Sequence, residues 1–242
     1  MLEPHAPHKP VHTVREFLVH MAAIALGLLL ALGLEQSVVA VHHAGQRRAF
    51  DAAVTKTLQR DLDKDADYKV WLRDYRNHLA ALRTAIVARL AGDKAAAAPS
   101  TDRQTAVLKG LASSASYEPA VADGTGSILT PDQVRKFTSI KVNLFYLERH
   151  RDRWADALGD LEAFQERFVD STGNLFTGPP RQGPTLASLS TVDLNEYLAR
   201  LSTLIQRTDF FLARIEIFDT MARHFLRGEP AVDAARDFQP VH

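Results

Sequence analysis

The sequence predicts an all-α protein, with an N-terminal transmembrane helix continuing into an elongated antiparallel helical bundle. Three observations carry this. Outside a few linkers, apolar residues recur at steps of three and four, the spacing that puts them on one face of a helix. The stretch "FLVHMAAIALGLLLALGLEQSVVAV", Phe17 to Val41, is the most apolar part of the chain and long enough to cross a bilayer. No proline occurs between Pro10 and Pro99, so no residue there removes a helical amide. No strand is required anywhere.

Composition sets the exclusions. A chain of 242 residues, 46% hydrophobic, has room for one packed domain plus appendages and does not read as disordered. Lys plus Arg and Asp plus Glu are both 29, so the net charge is zero and nucleic-acid binding lacks its usual electrostatic footprint. The absence of cysteine excludes disulfides, thiolate metal sites and cysteine nucleophiles, and leaves the compartment open.

Residues 1–16 read as a disordered tail and 17–41 as the membrane helix. About 20 apolar residues span the hydrocarbon core, and Phe17 to Gln36 meets this with His20 and Glu35 near its two ends. Two other readings compete. Lys9 and Arg15 before the apolar run, with Val38-Val39-Ala40 after it, fit a cleaved signal peptide. A buried core helix would instead need a polar face every three or four residues, which is missing here over four turns. Helix formers continue past Ala40 through "HHAGQRRAFDAAVTKTLQRDL", which favours an uncleaved anchor.

One face of this segment is organised. Glu16, His20, Ala23, Gly27, Ala31 and Glu35 follow at steps of four, three, four, four and four, a small-xxx-small stripe with polar groups at both ends. Such a face permits close helix approach, and the expectation is self-association through it. Orientation stays open: Lys9 and Arg15 precede the segment, Arg47, Arg48, Lys56 and Arg60 follow it, and cation counts say little about large folded domains.

Residues 42–227 are expected to form the bundle. Val54, Leu58, Leu62, Leu72, Tyr75, Leu79, Leu82, Ile86 and Leu90 mark the first amphipathic helix, ending near Ala91-Gly92. A short helix is expected around Gln104 to Ser113. Thr130-Pro131-Asp132-Gln133 then combines an N-cap hydroxyl, proline at the first helical position and Gln at the third. The helix it starts carries heptads at Phe137, Ile140, Leu144, Leu147, Arg151, Trp154, Leu158, Leu161, Gln165 and Phe168, a coiled-coil-like seam. Arg151 and Gln165 are polar at seam positions, where such residues set register or snorkel to the surface. After the Gly- and Pro-rich link "STGNLFTGPPRQGPTLASLS", a further helix runs from about Thr191 to Leu226, with Leu194, Leu198, Leu201, Ile205, Thr208, Leu212, Ile215, Phe218, Ala222 and Phe225 on one face. Its charged opposite face excludes a second span. Residues 228–242 read as a loose tail.

Chemistry is sought and not found. "RDLDKDADYK" puts Asp61, Asp63, Asp65 and Asp67 at alternate positions, but a calcium loop starting at Asp63 would need glycine where Tyr68 stands. The four are read as a solvated helical face. Of ten histidines, only His5, His8 and His12 show chelating spacing, and they lie in the tail; His42-His43, His78, His150 and His224 are scattered. "DGTGS" lacks the spacing and lysine of a phosphate loop, and GxSxG and HExxH are absent. No catalytic, cofactor-binding or metal-ligating set is therefore predicted, and the chain is not expected to be an enzyme.

Two segments, "REFLVHMAAIALGLLLALGLEQSVVAVHH" and "SYEPAVADGTGSILTPDQVRKFTSIKVNLFYLERH", resemble a group of uncharacterised bacterial single-pass membrane proteins with an N-terminal transmembrane helix and a helical C-terminal domain. Tyr117 stands where that group often has tryptophan. The resemblance implies an uncleaved anchor in a bacterial inner membrane and carries no activity. The expectation is a single-pass protein in contact with membrane lipid, homo-oligomeric, whose bundle serves as an oligomerisation or partner-docking module with an unknown protein partner. The competing readings are an extracytoplasmic ligand-sensing bundle acting through a partner subunit and marked by polar groups converging near Arg151, and a secreted helical protein.

Overall fold

The computed structural model describes residues 14–96, 113, 115, 117, 128–168 and 186–229. The protein is all-helical, with α1 at Val14–Leu90, α2 at Pro131–Glu166 and α3 at Thr191–Leu226. It divides into two compact units, Met1–Asp51 and Ala52–His242, and the division falls within α1. The expected helix at Gln104 to Ser113 lies outside the described residues except for Ser113, which is not helical. The histidines of the N-terminal tail and most of the Gly- and Pro-rich link also lie outside them.

Helix ends follow from local chemistry. α1 is one unbroken helix of 77 residues, so Gly45 is accommodated without interrupting it. It stops where Gly92 takes φ +98°, with the Gly92 amide donating to Arg89 O at 3.0 Å and the Asp93 amide to Ala88 O at 3.1 Å. That pair of bonds caps the last carbonyls, and a side chain at Gly92 would be strained. α3 ends alike: Gly228 has φ +70°, and Glu229 N donates to His224 O at 3.1 Å. At the start of α2 the Thr130 hydroxyl accepts from Gln133 N at 3.2 Å while Gln133 Oε1 accepts from Thr130 N at 3.0 Å, the reciprocal box that the sequence spells out. Ser190 accepts from Asp193 N at 3.2 Å at the start of α3.

Within the second unit, contacts between helices set the directions. Lys69, Arg73 and Arg76 of α1 meet Asp219, Glu216 and Asp209 of α3 in descending order, so these two helices are antiparallel. α2 and α3 are antiparallel as well, with Tyr146 against Arg214, Trp154 against Thr208 and Gln165 against Tyr197. It follows that α1 and α2 run in the same direction, which is why a long connection separates them while Trp71 of α1 meets Trp154 of α2.

The core is apolar and aromatic. Trp154 is fully buried, its ring lying 6.4, 6.2 and 6.1 Å between centroids from Trp71, Tyr75 and Phe211. Its indole N–H donates to Thr208 Oγ1 at 3.0 Å, so the one polar atom of the ring is paired. The seam of α2 departs from strict heptads after Trp154: Ala157, Leu161 and Phe164 are buried, whereas Leu158, Gln165 and Phe168 are not. A straight helix turns once per 3.6 residues, so a heptad pattern slides around its face by about 20° every seven residues. α3 shows a similar offset, burying Tyr197, Leu204 and Phe211 where the sequence reading places Leu198, Ile205 and Leu212.

Candidate functional site

Three sets of residues bear on function, and each follows from its position on a helix. In the first unit, Glu16, His20, Ala23, Gly27, Ala31 and Glu35 lie within α1 and are all exposed. A Cβ built on Gly27 would meet nothing within 4 Å. Among the described residues nothing uses the room this glycine leaves. The same span exposes the large apolar side chains Leu26, Leu28, Leu29, Leu30 and Leu32 to between 53% and 67%. An 18-residue window of α1 reaches a mean hydropathy of 2.4 with none of it buried, so the helix is long and apolar enough to cross a membrane.

The second set is Arg151 and Gln165, and they do not converge. Arg151 donates from Nε and Nη2 to Asp152 Oδ1 at 3.2 and 3.0 Å, with Asp152 itself well exposed. The guanidinium thus leaves the seam along its stem for the surface. Gln165 donates from Nε2 to the Tyr197 hydroxyl at 2.7 Å, tying the end of α2 to the start of α3.

The third set lies in the second unit, and it corrects the sequence reading. Asp61 and Asp65 are not part of a solvated face: they are 1% and 0% exposed, with Asp219 of α3 also buried. Asp63 and Asp67 do face water. Alternate residues point to opposite sides of a helix, whereas Asp61 and Asp65, four apart, share a side, and it is the core side. Leu58, Leu62, Asp65 and Leu72 continue one buried stripe.

These carboxylates have unequal partners. The Tyr117 hydroxyl donates to Asp61 Oδ2 at 3.0 Å, and Arg60 reaches Asp61 Oδ1 at 3.4 Å from a half-exposed position. Lys69 is hydrogen-bonded to Asp219 through Oδ2, leaving Asp219 Oδ1 without a partner. Among the described residues no donor reaches either oxygen of Asp65, whose hydrogen bond to Asp219 requires a proton between the two carboxyls, and the buried Tyr68 hydroxyl has no partner. Burial, followed by the charges of Asp219 and Asp61, pushes the Asp65 carboxyl up to about 7 against the pull of Lys69. Burial also raises Asp61, partly offset by the Tyr117 hydrogen bond and by Arg60. Tyr117 is raised by burial and by the neighbouring Asp61 charge. Chemically, the group can hold a proton on Asp65 near neutrality, beside Asp61, Asp219 and Lys69. Among the described residues no set of three or more His, Cys, Asp or Glu side chains is arranged to hold a metal ion.

The remaining histidines have separate company. His42 and His43 are tilted rings with centroids 6.4 Å apart, His150 lies against Phe210, and His224 pairs with Glu229. Compared with known proteins, the chain matches no family model, no curated protein and no solved structure.

Proposed function

We propose that the chain is a single-pass protein of a bacterial inner membrane, anchored by the N-terminal part of α1, whose helical bundle serves as an oligomerisation or partner-docking module. The observation that carries this reading is the unburied apolar stretch of α1. A large exposed apolar surface marks a site of association or of membrane contact, and lipid is the solvent that removes its cost. Within that stretch the open surface around Gly27 suits a second transmembrane helix, because dispersion contacts between close backbones drive helix association where water is absent.

The test is chemical crosslinking of the full-length chain in its native membrane. The wild type is expected to give a dimer or higher band, and Gly27→Leu to lose it while the chain remains membrane-bound. Unchanged crosslinking in Gly27→Leu would remove the stripe as the interface. A wild type that stays monomeric at every crosslinker concentration would remove oligomerisation as the role.

A further inference from the structure

The second unit carries a cationic, aromatic face that is exposed among the described residues. On α2 it comprises Phe145, Tyr146, Arg149, His150 and Arg153, and on α3 Arg207, Phe210 and Arg214. Phe145, Tyr146 and Phe210 are 58%, 40% and 46% exposed. The side chains form one cluster: the His150 and Phe210 rings lie 6.2 Å apart, and the Arg214 guanidinium stands 5.2 Å from the Tyr146 ring centre. His150 is held below its ordinary value by burial and then by the charges of Arg214, Arg153, Arg207 and Arg149. None of these four arginines makes an ion pair among the described residues. Asp152 and Asp209 are taken by Arg151 and Arg76. Exposed Asp156, one turn past Arg153, bounds the face at that end.

An exposed face of the opposite charge lies elsewhere in the same unit. It is on α1. Asp63, Asp67, Val70 and Asp74 follow at steps of four, three and four, all exposed, with Val70 at 59% and Lys64 alongside. These three aspartates make no ion pair among the described residues, whereas Asp61 and Asp65 turn inward. The two faces match in pattern. Both alternate charge with an apolar side chain, and Asp63 to Asp74 extends about 16 Å against about 10 Å from Arg207 to Arg214.

We infer that the arginine and aromatic face of α2 and α3 docks onto the Asp63, Asp67, Val70 and Asp74 face of α1 in a second copy of this chain. The inference rests on the self-association reading above and names its extramembrane surface. Aromatic area supplies the attraction, and the charges select register and exclude like faces. Because the two faces differ, the contact is heterologous: each copy keeps one face free, so contacts propagate into a ring or a row.

The absence of cysteine makes a direct test simple. Full-length Val70→Cys and Phe210→Cys chains, distinguishable by tags, are mixed in detergent and oxidised. A disulfide between the two tags is expected, lost when the Phe210→Cys chain also carries Arg207→Glu and Arg214→Glu, and regained when the Val70→Cys chain carries Asp67→Arg and Asp74→Arg. Regain shows that the reversed chains are folded. No disulfide between the singly substituted chains, or one indifferent to charge reversal, would overturn the inference. If sedimentation still shows an oligomer in that case, self-association stands and this surface falls; if the chain sediments as a monomer, both fall. Binding to phosphatidylglycerol vesicles that Arg207→Glu and Arg214→Glu abolish, without any disulfide between copies, would reassign the face to lipid and also overturn the inference.

Discussion

Asp65 is a buried carboxyl group that no donor reaches among the described residues, flanked by two other carboxylates, and its energetics run opposite to those of most acidic residues. In the unfolded chain it ionises near 3.8, in the bundle near 7. Between these values the folded state keeps a proton that the unfolded state has released, so the contribution of Asp65 is most favourable below 3.8, falls as pH rises to about 7, and is level above it. The span corresponds to roughly 4 kcal/mol. Asp61 acts in the same sense. His150, held low by burial and four arginines, acts in the opposite sense below 6.5. Asp132, Glu196 and Glu229, which their ion pairs hold low, lose their contribution only in more acidic solution. Comparison with Asp65→Asn isolates the one residue. The wild type is expected to melt at lower temperature at pH 8 than at pH 5, and Asp65→Asn to melt higher than wild type at pH 8 with most of the difference between the two pH values removed. Equal pH profiles for the two proteins would show that Asp65 ionises freely in the fold. The burial itself was legible: from Leu62 to Leu72 the apolar pattern has a gap, and steps of three and four across it pass through 65. What hid it was residue type, since an aspartate in a charged run is ordinarily solvated.

At the scale of elements, the start of α2 was readable to the residue and the start of α3 and the end of α1 approximately, because caps are short-range chemistry. Thr130 with Gln133, Ser190 before Thr191, and Gly92 each satisfy orphan backbone groups with atoms at most five residues away. Which side chains in the second half of α2 are buried was less readable. Heptads describe helices that supercoil for their whole length, and in α2 the buried side passes from Trp154 to Ala157, Leu161 and Phe164 instead of Leu158 and Gln165. The two registers predict different energetics. Leu161→Ala, at a position 3% exposed, is expected to cost about 2–5 kcal/mol, and Leu158→Ala about 1 kcal/mol because part of that side chain already meets water. Urea unfolding of the two variants decides it: a larger loss at Leu158 would mean that the seam stays heptad to its end.

For the whole molecule, the all-helical class and the three long helices follow from periodicity and the distribution of proline, and these the structure bears out; among the described residues one helix is long and apolar enough to cross a membrane. The parallel course of α1 and α2 was not readable, because helix direction depends on which faces meet across a long connection, and periodicity within each helix is blind to that. Continuity of α1 bears on the anchor. Val38, Val39 and Ala40 lie inside an unbroken helix that runs on to Leu90, so cutting after Ala40 would sever a helix whose later turns pack against α3. Retention of the apolar span keeps that helix whole, as the proposed anchor requires. The full-length chain is therefore expected to stay in the membrane pellet after carbonate washing, with an N-terminus upstream of Phe17. Release by carbonate would point to a soluble bundle, and a mature chain beginning at Val41 would show that the stretch is an export signal after all.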